Sequence, residues 1–414
     1  MLDNIWAAPL LGAIVGLGIG VAVGTRGSSE DPWTISVERS RETFANTLAL
    51  IFTALSIVLA LASVASQGVA SRFGSRALRI YARRSVDRWI ISLFAMSAMF
   101  VFVMQFNMRR LDEGAPAPSV ALVTAALLLV VTGSSVVWYV ASLIRWFRVD
   151  RVAGRLGELV LSVAHELASQ RHPQATAVEG LPERPDSAVD LLAPATGHIA
   201  EIDVDVILDR CREHDVSVVI SLPIGYPVVE GQPIGWTELR DGASGDAPRR
   251  VVAGSVDVAR RREVLLSIEY PLAALSDAAI IALSTGTNDP NSACEVIEEM
   301  IFLFHELAPV PLGPYVASLG DGGPSVTVAG RNFGELVELA TMQICHYGNS
   351  DPYVTEWLRR LATSLQVLDL GPVDRRRVDA FAARIPDQTT AASGTTASGY
   401  LDDGGRAVTA KPAS

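Results

Sequence analysis

Four long stretches without a charged residue constrain this chain more than any other feature of its sequence. Each holds at least 20 residues, about the number that a helix needs to cross a bilayer. We therefore predict an α-helical integral membrane domain over residues 1–148, with four transmembrane helices, followed by a cytoplasmic α+β region. The predicted spans are about residues 8–25, 45–67, 89–108 and 119–144.

Beyond residue 148 the sequence predicts a soluble part. Helical periodicity continues over 149–170 as a stalk, and a polar, proline-containing linker follows over 171–190. Strand-like alternation at 216–222, between Gly and Pro turns, predicts a small β-rich, barrel-sandwich-like module over 191–254. The remaining segments are a mostly helical subdomain over 255–386 with a short hairpin near 313–330, and a disordered Ala/Thr/Ser/Gly-rich tail over 387–414.

Arginine is distributed unevenly over the connections between the predicted spans. Three lie between helices one and two, six between two and three, two between three and four, and four just after helix four. Because positive charge favours the cytoplasmic side, the N-terminus and the C-terminal region are predicted to be cytoplasmic, in a bacterial inner membrane. Residues 1–149 have a net charge of +5 and the whole chain −11, so the acidic remainder argues against a nucleic-acid partner.

Several enzyme classes are excluded by missing residues. Lys411 is the only lysine, which removes the P-loop, Schiff-base enzymes and biotinyl carriers. The three cysteines and six histidines lack the spacing of a closed metal site, so we expect no metal, and nothing in the sequence calls for a cofactor. We expect no enzymatic activity.

Helix one carries Gly12, Gly16, Gly20 and Gly24 at a strict four-residue spacing. Such a ridge without side chains lets another helix approach closely. Either a neighbouring helix of the same chain or another subunit can fill this face.

Helix two carries a stripe of small and polar residues at alternating three- and four-residue steps. Polar groups in hydrocarbon need partners or water, so the stripe is expected to face protein or a wet lumen. One interpretation is ordinary helix packing, and the other is a pore lined by copies of helix two around an axis. The stripe residues are Asn46, Ala49, Thr53, Ser56, Ala60, Ser63 and Gln67.

The segment after helix two is basic and amphipathic, with Arg72, Arg76, Arg79 and Arg83 on one helical face. These arginines can contact anionic lipid in the headgroup layer, or they can serve only to orient the protein.

Two Asp-Pro pairs open apolar-periodic segments later in the chain. Asp289 precedes Pro290 and Asp351 precedes Pro352. Asp as the N-cap with Pro at the first helical position is a sufficient explanation, so both aspartates are predicted to be structural caps.

Several segments together resemble a known family. They are the four spans, the basic SRFGSRALR segment, APATGHIAEID with its later GQPIG turn, ALSTGTNDPNSA and QICHYGNSDPYV. The chain is similar to the "domain of unknown function 2254" family of predicted bacterial membrane proteins. The resemblance implies the membrane topology and no established activity.

Two functional hypotheses remain. The leading one is a homo-oligomeric, channel-like inner-membrane protein with a cytoplasmic gating or sensing domain, because the polar stripe lies beside a basic segment. The alternative is a non-conducting membrane scaffold or sensor whose cytoplasmic domain binds a protein or a small ligand. The lipid bilayer and other copies of the chain are the expected partners.

Overall fold

The structure is a computed structural model that describes most of the chain. Its described residues are 7–24, 37–81, 85–109, 119–146, 149–239, 254–260, 267–318, 320 and 323–386. The chain divides into two compact units, an N-terminal unit, Met1–Val152, and a C-terminal unit, Ala153–Ser414. The predicted disordered tail, 387–414, lies outside the described residues.

The N-terminal unit is built from helices α1 to α4. Helix α1 packs on α3, while α2, α3 and α4 all contact one another. Their shared core is aliphatic and aromatic and includes Phe44, Ile51, Phe94 and Met104, all with no exposed surface. The helices are α1 (Ala7–Gly24), α2 (Val37–Tyr81), α3 (Ser85–Met108) and α4 (Ser119–Trp146).

Three helices are long and apolar enough to cross a membrane. They contain the stretches Val37–Gly68, Trp89–Met108 and Val120–Leu143. The apolar part of α1, Ala8–Val23, is shorter than these. Three of the four predicted spans therefore have the length and composition of membrane-crossing helices, and the first one falls below that length.

Helix α2 begins well before the predicted start of its span, and Arg41 lies on its first turns. The Nε and Nη2 atoms of Arg41 donate to the carbonyl oxygen of Met108, at 3.0 and 2.8 Å. Met108 is the last residue of α3, so a cation satisfies the free carbonyl end of that helix. Arg41 thus has a packing role, although the sequence places it among the loop charges that orient the spans.

Most of helix α5 (Val149–Ser169) belongs to the C-terminal unit, which starts at Ala153. Two sheets follow it in the chain. The larger sheet has the strand order β1-β8-β9-β4-β6-β2, and the smaller one has the order β5-β3-β7. Neighbours are antiparallel except β4 and β9, which run parallel with Val218 opposite Val326. The strands are β1 (Thr176–Ala177), β2 (Val189–Leu192), β3 (Gly197–Ile202), β4 (Val216–Ile220), β5 (Pro227–Val228), β6 (Pro233–Leu239), β7 (Val256–Ala259), β8 (Tyr315–Ser318) and β9 (Ser325–Val328).

This sheet arrangement differs from the predicted barrel-sandwich-like module over 191–254. Strand β1 lies in the predicted linker, β7 lies at the start of the predicted helical subdomain, and β8 and β9 come from its hairpin. Helix α6 (Val204–His214) also interrupts the predicted β-rich segment, with Asp203 as its N-cap. The physical reason is that β4 is buried and takes β9 as its partner from more than 100 residues away, a pairing that local alternation does not encode.

The helical part of the C-terminal unit begins later than residue 255. Helix α7 packs on α8 and α9, and α8 and α9 also contact α10 and α11, respectively. Their facing side chains, such as Leu275, Ile297 and Leu361, are fully buried. The helices are α7 (Glu269–Leu283), α8 (Pro290–Leu307), α9 (Phe333–Gly348), α10 (Pro352–Gln366) and α11 (Pro372–Ala383).

Candidate functional site

The polar stripe of α2 lies on the outside of the N-terminal unit. All seven stripe residues are exposed, whereas Phe44, Ile51 and Val58 on the opposite side of α2 are buried in the core. The other described helices of the N-terminal unit therefore do not cover the stripe. The exposed residues are Asn46, Ala49, Thr53, Ser56, Ala60, Ser63 and Gln67.

Two hydroxyl groups of the stripe have partners within α2. Thr53 Oγ1 donates to the carbonyl oxygen of Ala49 at 2.8 Å, and Ser56 Oγ donates to that of Phe52 at 2.9 Å. These side chains therefore stay close to the helix backbone. The 22 residues from Asn46 to Gln67 span about 31 Å, close to the thickness of the hydrocarbon core. The two amides lie at the ends of the stripe, and small residues fill its middle.

The glycine ridge of α1 faces α3. A methyl group added at Gly12 would collide with the carbonyl oxygen of Ser92, and one at Gly16 with the carbonyl oxygen of Met96. One added at Gly20 would lie 3.0 Å from Val103. The two backbones approach this closely because the ridge has no side chains. Gly24 is the last residue of α1.

The basic segment lies at the end of α2 and contains a kink. Gly74 has φ 84° and ψ 171°, a backbone conformation that glycine adopts without strain. Around it, Arg72 is exposed and Arg76 is partly exposed, while Phe73 and Ala77 are buried. Arg79 lies further along α2, and Arg83 lies outside the described residues.

Asp289 and Asp351 are placed at helix starts. Asp289 accepts from the backbone N–H of Ser292 at 3.2 Å and from its hydroxyl at 2.6 Å, at the start of α8. Asp351 accepts from the N–H groups of Tyr353 and Val354, at 2.8 and 3.2 Å, at the start of α10. Each carboxylate thus satisfies N–H groups that have no partner within the helix.

The three cysteines are buried thiols, each on a different helix. Burial raises the pKa of Cys211 and of Cys294 to about 12, and that of Cys345 to about 11. All three therefore remain protonated and unreactive near neutral pH. Among the described residues, no group of three His, Cys, Asp or Glu side chains is placed to hold a metal ion.

A cleft in the C-terminal unit brings together residues from separate segments. The empty space in and at the mouth of the cleft is about 720 Å³, including space open to solvent. Parallel strands β4 and β9 both end at it, since Ile224 follows β4 and Gly330 and Arg331 follow β9. We name it the arginine cleft, after Arg171 and Arg331, which line it together with Glu269 and Tyr315.

Arg171 lies two residues beyond the end of α5 and is fixed by the cleft wall. Its Nη2 atom donates to the carbonyl oxygen of Gly313 at 2.5 Å, and its guanidinium carbon lies 4.7 Å from the centre of the Tyr315 ring. Burial lowers the pKa of Arg171, and it raises the pKa of Tyr315. Arginine stays protonated in proteins, so this is a cation stacked on a neutral phenol.

Arg331 and Glu269 form the second charged pair of the cleft. Arg331 Nε lies 3.0 Å from Glu269 Oε1, and the hydroxyl of Ser267 donates to Glu269 Oε2 at 2.7 Å. The Glu269 side chain is 17% exposed and that of Arg331 is 42% exposed. The arginine therefore reaches further into solvent than the carboxylate that holds it.

The arginine cleft was not predicted from the sequence. Arg171 lies in the predicted linker, and Glu269 and Arg331 lie in the predicted helical subdomain, so no motif joins them. The only local signal is a pair of glycines before and after the hairpin. Gly313 has φ 89°, and a methyl group at Gly330 would collide with the backbone of Gly313, so both positions require glycine for the close approach of the chain.

Glu299 gives a pH-dependent prediction. Its carboxylate on α8 packs against Gly157 of α5, and its pKa is raised by burial and then by Glu158, Glu306 and Glu298. A carboxyl group whose pKa is higher in the folded state destabilises the fold when ionised. We expect Glu299→Gln to raise the melting temperature at pH 7, and the gain to vanish below about pH 4.3, the pKa of an unfolded glutamate.

The neighbouring Glu298 is a matched control, because it is exposed on the same helix. Glu298→Gln removes the same formal charge without removing a carboxylate from the interface with α5. Thermal unfolding of both variants between pH 4 and pH 7 checks the prediction. Equal melting temperatures for both variants at pH 7 would show that the ionised Glu299 carboxylate does not destabilise the fold more than that of Glu298 does.

Comparison with known proteins gives one family and a few relatives. Residues 3–364 match the family described as "Predicted membrane protein (DUF2254)". An uncharacterized protein of Mycobacterium tuberculosis is 24% identical over an alignment of 380 residues, which covers 87% of this chain and 71% of that protein. An uncharacterized protein of Mycobacterium bovis is similar to the same extent. No solved structure gives a significant match.

Proposed function

The chain belongs to the DUF2254 family of predicted membrane proteins, and we propose that it assembles into a homo-oligomeric, channel-like protein of the inner membrane. The observation that carries this proposal is the exposure of the whole α2 stripe on the single chain. Small residues along a helix favour close contact with another helix in a membrane. Copies of α2 arranged around an axis would cover the stripe and surround a path lined by hydroxyl and amide groups.

Helix α1 completes the membrane domain in this proposal. Its glycines contact α3 in the same order along both helices, Gly12 at Ser92 and Gly16 at Met96, so α1 and α3 run parallel. Alternate helices of an up-and-down bundle run parallel, as would be expected of the first and third of four spans. The 18 residues of α1 extend about 27 Å, close to the hydrocarbon thickness, which supports a fourth span.

With four spans, the N-terminus and the C-terminal unit lie on the same side of the membrane. The six arginines between the second and third spans favour the cytoplasm for that side. Arg72 and Arg76 then lie at the cytoplasmic surface, where each contributes about 1 kcal/mol of attraction to anionic lipid. We assign no enzymatic activity, metal or cofactor to the protein.

Cysteine cross-linking tests the assembly. We expect Ser56→Cys and Ser63→Cys to give covalent oligomers when the full chain in native-like membranes is treated with a short bis-maleimide. The cross-links would join copies through α2, because the native thiols are buried and have a raised pKa.

Val130→Cys is the control for this experiment, since Val130 is 64% exposed and lies near the middle of the α4 span. Its thiol sits at a comparable depth but on another helix. Cross-linking at Val130 with none at Ser56 and Ser63 would overturn the proposed arrangement of α2.

The arginine cleft favours a second candidate function, a membrane sensor that does not conduct. Helix α5 begins three residues after the end of α4, and the cleft is lined by Leu167 and Gln170 at its other end. A ligand in the cleft would contact the helix that follows the last span in the chain. Oligomers that cross-link at Ser56 but support no ion flux in liposomes would favour this sensor.

A further inference from the structure

We propose that the arginine cleft binds a small organic monoanion, a carboxylate with an apolar body. The inference deepens the sensing role proposed above by giving it a ligand class. It depends on the C-terminal unit alone, so it holds whether or not the protein conducts.

The walls of the cleft match an apolar body. Most of its lining side chains are aliphatic, and they come from the end of α5, the ends of β3 and β4, the start of α7 and the approach to β8. Ligand sites in proteins are commonly concave and apolar, with a few polar groups that fix orientation. The aliphatic lining residues that carry the argument are Leu167, Ile202, Ile224, Ile268, Leu312 and Val328.

The position of the cleft also matches a ligand site. Strands β4 and β9 are parallel neighbours, and both end at the cleft. Ligands of sheets with parallel strands bind outside the carboxyl ends of those strands, where the loops diverge. The two strands stay paired up to the cleft, since Ala329 N–H donates to the carbonyl oxygen of Ile220 at 2.9 Å.

The charges of the cleft match a monoanion. Among the residues that the structure describes, two guanidinium groups and one carboxylate line it, which leaves one excess positive charge. A guanidinium has five N–H donors. Within the described part of the chain, the hydrogen bonds of Arg171 and Arg331 use one donor each, to Gly313 and Glu269. The remaining donors suit a carboxylate, which arginine binds through paired hydrogen bonds.

Two features favour a carboxylate over inorganic phosphate. The excess of one positive charge neutralises a monoanion, whereas inorganic phosphate near neutral pH is a mixture of monoanion and dianion and carries on average more than one negative charge. Phosphate also has no apolar part to contact Ile202 or Ile224, whose exposed surface in the cleft would remain in water.

Equilibrium dialysis of radiolabelled hexanoate against the full chain in lipid nanodiscs tests the proposal. Empty nanodiscs measure partition into lipid and are subtracted. We expect one saturable site per chain, competition by unlabelled hexanoate, and none by the neutral isostere hexanamide. Hexanamide that competes as well as hexanoate, or phosphate that displaces hexanoate at lower concentration, would overturn the ligand class.

Two substitutions are expected to change hexanoate affinity in opposite directions, so a variant that merely fails to fold cannot produce both results. We expect Arg331→Gln to weaken hexanoate binding about tenfold or more, because a charge-assisted hydrogen bond is lost. We expect Glu269→Gln to tighten binding several-fold, because the carboxylate that competes for Arg331 becomes neutral. Weakening by both variants would contradict the proposed charge balance.

Arg360 provides the matched control. It is an exposed arginine on α10 whose Nε lies 3.3 Å from Glu356, outside the cleft. Arg360→Gln should leave hexanoate affinity unchanged, and an effect equal to that of Arg331→Gln would overturn the assignment. If hexanoate does not bind but Ser56→Cys still cross-links, this inference alone is overturned. If hexanoate binds but Ser56→Cys does not cross-link, the α2 assembly alone is overturned.

Discussion

We expect Ser56→Trp to reduce ion flux roughly tenfold or more without preventing assembly, because a large indole replaces a hydroxymethyl group at the middle of the proposed path. Ser56 is exposed on the stripe and holds its hydroxyl against its own helix, so the wild-type side chain occupies little of the space beside α2. The measurement is the dissipation of an imposed KCl gradient in proteoliposomes. Gln67→Leu, at the end of the stripe, is expected to change the flux as well.

Val130→Trp is the control for that experiment. Val130 is 64% exposed and lies near the middle of the α4 span, at a depth comparable to that of Ser56 but on another helix. In the proposed arrangement α2 lines the path and α4 does not, so the flux should stay close to that of the wild type. Unchanged flux in Ser56→Trp, in a protein that conducts, would remove α2 from the path.

The second large effect is expected at the contact between α1 and α3. Gly16→Val adds a branched side chain where even a methyl group would collide with the backbone of Met96. The helices would have to separate, and overpacking of this kind costs about 1–3 kcal/mol. We expect a lower melting temperature for the full chain in nanodiscs.

Gly18→Val separates this packing effect from the intrinsic cost of valine in a helix. Gly18 lies on the same helix, and nothing lies within 4 Å of a methyl group added there. Both variants carry the same change in helix propensity. Equal melting temperatures for the two variants would contradict the close approach of α1 and α3 at Gly16.

The features that could be predicted from the sequence are those that a single helix encodes. The spacing of Gly12, Gly16 and Gly20 depends only on the helical period, and so does the stripe through Ser56. Sequence periodicity places these residues on one face, but it does not say what covers the face. The structure adds that α3 fills the glycine ridge and that the chain leaves the stripe exposed.

The features that the sequence did not predict depend on contacts between distant segments. The pairing of Val218 with Val326 joins strands that lie in two different predicted domains. The arginine cleft lies beside the same pairing, since β4 and β9 both end at it, and it brings together Arg171, Glu269 and Arg331 from segments far apart in the chain. Neither contact produces a local sequence periodicity or a motif.

The number of chains in the assembled protein tests the central claim most directly. A path lined by α2 requires several copies around one axis, so native mass spectrometry of the full chain released from lipid nanodiscs should give a closed ring of three or more subunits. The Ser56→Trp variant should give the same number. Monomers or dimers as the largest species would contradict an axial path lined by the α2 stripe.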